Sequence, residues 1–420
     1  MKTIRRYVFL NLLMILAANG QQTDSLNLDQ VISEVLKHNP LIEQSLEKIS
    51  AANAQIAISH SGDYPYAAAE ISYNRIGPVI QFQIPNAKPV SLYPADNYDA
   101  HVGAQYTVYD FGKREVQTEL AQNGLEQSEN SLKTIRNELA YQTIKIFYSI
   151  LFLQKNIHVL DQEIAALKNH LDVAQKKAQT GSATSFDVLT TRVRVSNAEN
   201  QKIDLQTSME KNRLLLKSLM GIKDGESISI TGDFNDAFVT LPKNDSLIVT
   251  AMKNRQEMKL AANTVKHYEI ALRLASLSDN AQLKINGMVG IKNGYIPNLN
   301  EPKFNWLAGV GLDIPLFDGY ATHFKEQEVQ AHLAAAKAFE NEVKRQVSVD
   351  VEQALQEVIA QKKKLDAADL QLKEANEAVT LATKQYEAGV VTNLELLDAH
   401  AAQAQSELQK ARVLYNLVVC

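Results

Sequence analysis

The chain has little of what punctuates or staples a fold. Among 420 residues there is one cysteine, Cys420, so no intrachain disulfide can form and no thiol set for a metal exists. No cysteine stands directly after the N-terminal leader, where a lipid anchor would attach. Glycine and proline number only 17 and 10, a profile of long helices rather than many short loops. No run of about 18 apolar residues follows the leader, so no spanning helix is expected. Charge of one sign is not in excess either. A net charge of −5 and a pI near 6.0 give no electrostatic reason to expect nucleic acid. The nine histidines are scattered without ligand spacing, and no nucleophile–base pairing stands out. We therefore expect no metal site, no cofactor and no enzymatic activity. Asp110-Phe111-Gly112 matches a kinase tripeptide, but no glycine-rich phosphate loop or catalytic-loop motif accompanies it. Asp110 is better read as a cap at a strand-to-helix junction.

What the chain does have begins with an address. Lys2, Arg5 and Arg6 precede the apolar run Tyr7 to Ala18, and Ala18-Asn19-Gly20 supplies small residues before Gln21-Gln22. A basic start, a short apolar core and a small-residue exit make residues 1–20 a secretory signal peptide, too short for a comfortable membrane span.

Further along, the chain repeats itself. Tyr109-Asp110-Phe111-Gly112 opens a long helical pattern ending at Thr180-Gly181, and Phe317-Asp318-Gly319-Tyr320 opens another ending at Ala388-Gly389. Asp110 and Asp318 stand 208 residues apart (318 − 110), as do Gly181 and Gly389 (389 − 181). A gapless spacing kept over that distance is an internal duplication. The first repeat is placed at 21–220, with helix 28–61, strands 66–76 and 101–109, long helix 113–179 and helix 184–219. An equatorial linker follows at 221–245, holding the short strand candidate Ser227-Ile228-Ser229-Ile230. The second repeat takes 246–420, with helix 246–279, strands 282–292 and 304–314, long helix 321–387 and helix 392–418.

The long helices carry seams of alternating three- and four-residue spacing. One runs Leu132, Ile135, Leu139, Gln142, Ile146, Ile150, Leu153 and onward to Ala178; the other includes Val347, Val358, Gln361, Leu365, Ala368, Leu372, Ala375 and Tyr386. A 3.5-residue period sustained this long implies coiled-coil packing. At 1.5 Å per residue each long helix spans roughly 100 Å, and helices 28–61 and 184–219 stacked end to end match one of them. Gly181 and Gly389 sit where a helix end favours a left-handed residue, and both turns should lie at the same end of the molecule.

The four strand segments switch to period two, as in Phe304, Trp306, Ala308, Val310, Leu312 and Ile314 against Asn305, Leu307, Gly309, Gly311 and Asp313. Each is about the 9–11 residues that a tilted strand needs to cross a bilayer. A soluble sheet with one wet face is the alternative, but the signal peptide and the lipid-compatible aromatics weigh against it. Four strands cannot close a membrane barrel, and an open edge cannot sit in lipid. Three copies would supply twelve, with symmetry closing the register.

This constellation resembles the TolC family of outer-membrane efflux proteins over nearly all of the mature chain. Its carriers are the duplicated aromatic-Asp junction and two tip motifs. These are Thr180-Gly181-Ser182-Ala183-Thr184-Ser185-Phe186-Asp187-Val188-Leu189 and Tyr386-Glu387-Ala388-Gly389-Val390-Val391-Thr392-Asn393-Leu394-Glu395-Leu396-Leu397-Asp398-Ala399. The resemblance implies a mostly α fold with β: a homotrimeric twelve-stranded barrel, four strands per chain, in the outer membrane of a Gram-negative bacterium, continuing into a long periplasmic α-helical barrel. It implies passive exit of substrates delivered by an inner-membrane transporter and a periplasmic adaptor, in tripartite efflux or type I secretion. It also implies a periplasmic gate. By motif alignment the acidic ring falls on Glu395 and Asp398, a restraining pair on Asp187 and Tyr386, and the adaptor-contacting tip turns on Gly181 and Gly389. Val391 stands where a family member carries an Arg, which removes one family salt link.

The rival reading is an exported coiled-coil scaffold or adhesin without a pore. Such a scaffold has no use for alternating segments at the same place in both repeats. A periplasmic adaptor also presents a helical hairpin, but this chain lacks the compact β domains that carry one.

Overall fold

A computed structural model describes residues 25–83, 85–86, 89–222, 228–234 and 244–420. The signal peptide read at 1–20 lies outside the described residues. In chain order the elements are α1 (Leu28–His38), α2 (Pro40–Ser59), β1 (Tyr66–Arg75), β2 (Gln81–Phe82), β3 (Val90–Ser91) and β4 (Asp96–Tyr109). Then come α3 (Lys113–Gln179), α4 (Ser185–Met220), α5 (Asn244–Asn254), α6 (Gln256–Ser276), β5 (Gln282–Lys292), β6 (Lys303–Asp313), α7 (Ala321–Glu387) and α8 (Asn393–Val419).

The repeat is visible in these bounds. The long helices α3 and α7 are both 67 residues, and both start and end 208 positions apart (321 − 113). Upstream the offset is 216: β1 and β5 start at Tyr66 and Gln282 (282 − 66), α2 and α6 at Pro40 and Gln256 (256 − 40). The change falls between β1 and α3, where the first repeat carries the longer inter-strand loop and its small hairpin β2–β3.

Two expected helices are each broken in two. The span 28–61 divides at Asn39, because Pro40 has no N–H to continue a helix and pushes the preceding residue into extended geometry (φ −73, ψ 128). Asn39 serves both sides: its Oδ1 accepts from Leu41 N at 3.0 Å, and its Nδ2 donates to Leu219 O at 3.1 Å. The span 246–279 divides at Arg255, the position equivalent to Asn39, also extended (φ −64, ψ 135). The strand expected at 101–109 begins earlier, at Asp96, and pairs with β1 through Arg75. The expected strand 227–230 reduces to a single parallel bridge between Leu26 and Ile230, Ser227 being outside the described residues.

At the strand-to-helix junctions, Phe111 and Gly112 have φ of 55° and 87°, and their repeat partners Gly319 and Tyr320 have 69° and 66°. Two consecutive left-handed residues turn the chain in both repeats, with glycine supplying one of the two each time. Asp110 and Asp318 then cap the long helices, accepting from the backbone N–H of Arg114 (3.1 Å) and Thr322 (2.7 Å).

By packing, the chain divides into two compact units that cut across the repeats, each taking segments from both. One unit comprises Ser45–Leu132 and Asn254–Arg345, and contains the whole sheet. Its four strands are antiparallel in the order β1-β4-β5-β6. Register puts Ala69, Val102, Val289 and Trp306 in one row and Ile71, Ala100, Ile291 and Phe304 in another, on one face. The opposite face carries Glu70, His101 and Asn305, and then Ser72, Asp99, Lys292 and Lys303. The apolar face is bare: Ile71 is 85% exposed, Val310 74%, Phe304 72% and Trp306 70%. Among the described residues, both edge strands, β1 and β6, are paired on one side only.

The other unit holds the described residues up to Gln44, Lys133–Lys253 and Gln346–Cys420. Its core runs along the seams, with Leu139, Ile150, Leu153, Leu160, Ile164 and Leu167 of α3 buried; Gln142, the polar member of that seam, is exposed. Ile164, Leu167, Val195, Ala198 and Leu397 form one cluster from α3, α4 and α8. Leu365, Val413 and Leu417 form another between α7 and α8. The described part of the linker lies against α3. Phe234 stacks near Tyr148 at 5.7 Å, and a Cβ at Gly232 would stand only 3.1 Å from Leu151 and 3.2 Å from Phe147.

Candidate functional site at the helical tips

The α3–α4 and α7–α8 turns are built by the same hydrogen bonds. Ser182 N donates to Lys177 O and Val390 N to Gln385 O, both at 2.8 Å; Gly181 N donates to Ala178 O and Gly389 N to Tyr386 O, both at 3.1 Å. This is the helix-ending pattern that needs a left-handed residue, and Gly181 (φ 77°) and Gly389 (φ 75°) supply it. The next helices start alike. Thr184 Oγ1 accepts from Asp187 N (3.2 Å) while the Asp187 carboxylate accepts from Thr184 N (2.9 Å), and Thr392 and Glu395 make the same reciprocal pair at 3.3 and 2.7 Å. Each is a capping box, so Asp187 and Glu395 satisfy backbone N–H groups that the first helical turn would otherwise leave unpaired.

The two turns meet across the helices. Tyr386 is buried, with Lys177 Nζ 4.1 Å above its ring and donating to its carbonyl at 3.2 Å. The His170 and Tyr386 rings meet in an edge-to-face arrangement with centroids 4.9 Å apart. His170 Nε2 donates in turn to Asn393 Oδ1. The Asn393 amide lies 3.4 Å from Asp187 O and from Thr191 Oγ1, and 3.5 Å from Thr190 Oγ1. Arg194 on α4 bonds Asp398 on α8 at 3.0 Å.

Electrostatics follow from these neighbours. Hydrogen bonds from the Thr392 backbone and hydroxyl hold Glu395 below the usual carboxylate range. Burial, then the charge of Asp187, pushes the Tyr386 hydroxyl up. Just behind the turns, burial and then His170 hold His400 below the usual imidazole range, and burial pushes Glu163 up against the opposing pull of Arg194.

The six residues singled out by motif are therefore gathered in one unit but divide by role. Gly181 and Gly389 make the turns. Asp187 and Glu395 have their carboxylates committed to capping, and Asp398 is paired with Arg194 at the surface. Among the described residues no hydrogen bond joins Asp187 to Tyr386: the carboxylate is held by Thr184, and Tyr386 is held instead by Lys177 and His170. Sequence reasoning missed His170, Lys177, Arg194 and Asn393. Their one signal is a break in the repeat: the equivalents of His170, Lys177 and Arg194 are Ala378, Gln385 and Ala402, and that of Asn393 is Ser185.

A sequence model of outer membrane efflux proteins matches residues 31–222 and 247–419. The chain belongs to that family. It is an outer membrane efflux protein. Among curated relatives, the cobalt-zinc-cadmium resistance protein CzcC of Cupriavidus metallidurans is 22% identical over 307 residues, 72% of this chain and 70% of that protein. Protein CyaE of Bordetella pertussis is 21% identical over 408 residues, 94% of this chain and 82% of the relative. The crystal structure of the outer membrane protein VceC from Vibrio cholerae superposes with a TM-score of 0.78 at 16% identity, covering 93% of each chain.

Proposed function

We propose that three copies of the chain close into a twelve-stranded barrel and a helical tunnel, and that substrates leave passively through it. An inner-membrane transporter and a periplasmic adaptor deliver them, and no enzymatic step is needed. The observation that carries this reading is the sheet. One face is apolar and bare, the other carries the charged and amide side chains with one apolar row (Ala68, Gly103, Met288 and Leu307) among them, and both edges offer unpaired backbone groups. In lipid an unpaired edge is not tolerated, so the edges must pair with each other around a ring. A pore-free scaffold or adhesin gives the bare apolar face nothing to do. The helical tips are the gate in this reading: Glu395 and Asp398 form its acidic ring, Asp187 and Tyr386 restrain it, and the turns at Gly181 and Gly389 meet the adaptor. Mass measurement of the detergent-extracted protein, with conductance in planar bilayers, tests it. A trimer that conducts is expected; a stable water-soluble monomer removes the barrel and the pore together.

A further inference from the structure

We propose that His101 sets the ion selectivity of the barrel wall, one imidazole per chain deciding whether a band of the pore is neutral or positive. Such a role requires the sheet to be one third of a barrel whose polar face lines the pore, as in the proposed function.

The polar face is arranged around this ring. Glu70 of β1 stands directly across from His101, and Gly290 of β5 and Asn305 of β6 complete the row. The neighbouring row on the same face holds Ser72, Asp99, Lys292 and Lys303. His101 Nδ1 lies 3.1 Å from Asp99 Oδ1, and Nε2 lies 3.7 Å from Glu70 Oε2. Lys292 Nζ is 4.0 Å from the other Asp99 oxygen. A neutral imidazole has one N–H and one lone pair, so it can donate to only one of these carboxylates; the protonated ring can donate to both. The carboxylates face opposite nitrogens, and so do not converge with the ring on one point as ligands of a metal ion would.

Room for the histidine comes from Gly290. A Cβ there would stand 2.5 Å from His101 Cβ, so only glycine lets β5 run this close beside it. The His101 side chain is 21% exposed against 71% for Glu70, which seats it on the wall and leaves it within reach of water. With all four ionised, Glu70 and Asp99 balance Lys292 and Lys303. The net charge of the two rows is then whatever the ring carries: none when neutral, one positive charge per chain when protonated. Histidine is the side chain whose charge changes between pH 5 and 8.

The duplication shows that the sheet does not need this cluster. With offsets of 216 for β1 and 208 from β4 onward, Glu70 and His101 correspond to Asn286 and Gly309, which are themselves partners across β5 and β6. Asp99 corresponds to Leu307. The equivalent place in the second repeat is paired with no titratable group at all. A strand pair that forms without charge has no structural use for a histidine between two acids, so the cluster answers to what passes the wall.

The test uses the full-length protein in planar bilayers, with reversal potentials read under a potassium chloride gradient at pH 8 and at pH 5. Wild type should lose cation preference on acidification, its cation-to-anion permeability ratio falling roughly twofold to tenfold at low ionic strength. His101→Gln keeps an N–H donor and takes up no proton, so most of that change should vanish. His101→Arg fixes the charge and should show at pH 8 the ratio that wild type reaches at pH 5. Both variants retain Glu395 and Asp398, so any pH response of the helical tip is common to all three proteins. Wild-type channels with the same ratio at both pH values overturn this role for His101, as does a His101→Gln protein that responds to pH as wild type does. If that variant fails to assemble, His101→Arg decides, and a wild-type pH response in it overturns the role equally. Failure of the proposed function looks different: wild type then forms no channel at either pH, and the role of His101 falls with it.

Discussion

Asp187 and Glu395 are the same residue position in the two repeats, and each closes a capping box on the threonine three residues before it. An acid at that place has a local reason to be there, independent of any pore, because it satisfies helix N-terminal donors and suits the helix dipole. A gating role is added to that job rather than substituted for it. This changes what mutation of either side chain should do.

Removing a cap should loosen a tip without dissolving the assembly. Thr184→Ala and Thr392→Ala are each expected to cost about 1 kcal/mol, the usual value for a lost N-cap, and to cost about the same as each other. Local hydrogen exchange at the start of α4 and α8 should report it, with the denaturation midpoint of the assembled protein little changed. The cap at Thr392 also has a pH limit. The folded-state value for Glu395 is lowered, so its contribution is complete above the ordinary glutamate value of about 4.3 and fades only as pH falls through the lowered one. The α8 N-terminus should therefore stay protected at pH 5 in the wild type. Cap loss already present at that pH would contradict the assignment.

The turn glycines should respond to backbone shape alone. A Cβ added at Gly181 or Gly389 meets nothing within 4 Å among the described residues, so no clash contributes. The left-handed φ remains, costing a substituted L-residue about 1–2 kcal/mol. Gly389→Val should impair efflux while trimers still form, and Gly389→Asn should be milder because Asn tolerates that region. Equal efflux by wild type and Gly389→Val would remove the turn from the mechanism.

The sheet edges make the assembly prediction specific. In the proposed ring β1 of one chain pairs with β6 of the next. A proline in the middle of β6, as in Leu307→Pro, lacks a ladder N–H and should abolish or severely reduce heat-resistant trimers on gels. A substitution on the polar face such as Asn305→Ser should leave them intact. Normal trimers from Leu307→Pro would place the closing edge elsewhere.

How much of this was legible in the sequence depends on the range over which the physics acts. The long helices, tip turns and alternating strands follow from local periods and from glycine at two turns, and the duplication doubles each signal. The break at Asn39 is written there too, since Pro40 cannot continue a helix. Its counterpart at Arg255 has no such residue, and only the 216-residue offset of the first half of each repeat would locate it. The link between His170 and Asn393 joins positions 223 apart. No local rule pairs a histidine near the end of one helix with an asparagine beside the cap of another, so this contact emerges only when the helices are packed.

The acidic ring is testable through the cation that opposes it. In a trimer Glu395 and Asp398 would bring six carboxylates to one opening, but Arg194 pairs with Asp398 at 3.0 Å and offsets half of that charge. Asp398 and Arg194 are both well exposed, at 60% and 42% of their side-chain surface, so the pair is screened and each charge is still felt by ions in solution. Removing the guanidinium should therefore strengthen the ring: Arg194→Ala is expected to raise cation selectivity and sensitivity to multivalent cations added on the periplasmic side. Glu395→Gln with Asp398→Asn should lose that block while still conducting, since glutamine at 395 can accept the capping bonds. Reversal potentials and titrations with a trivalent cation in planar bilayers measure both. If the double mutant is as selective and as readily blocked as wild type, Glu395 only caps α8 and Asp398 only ties it to α4.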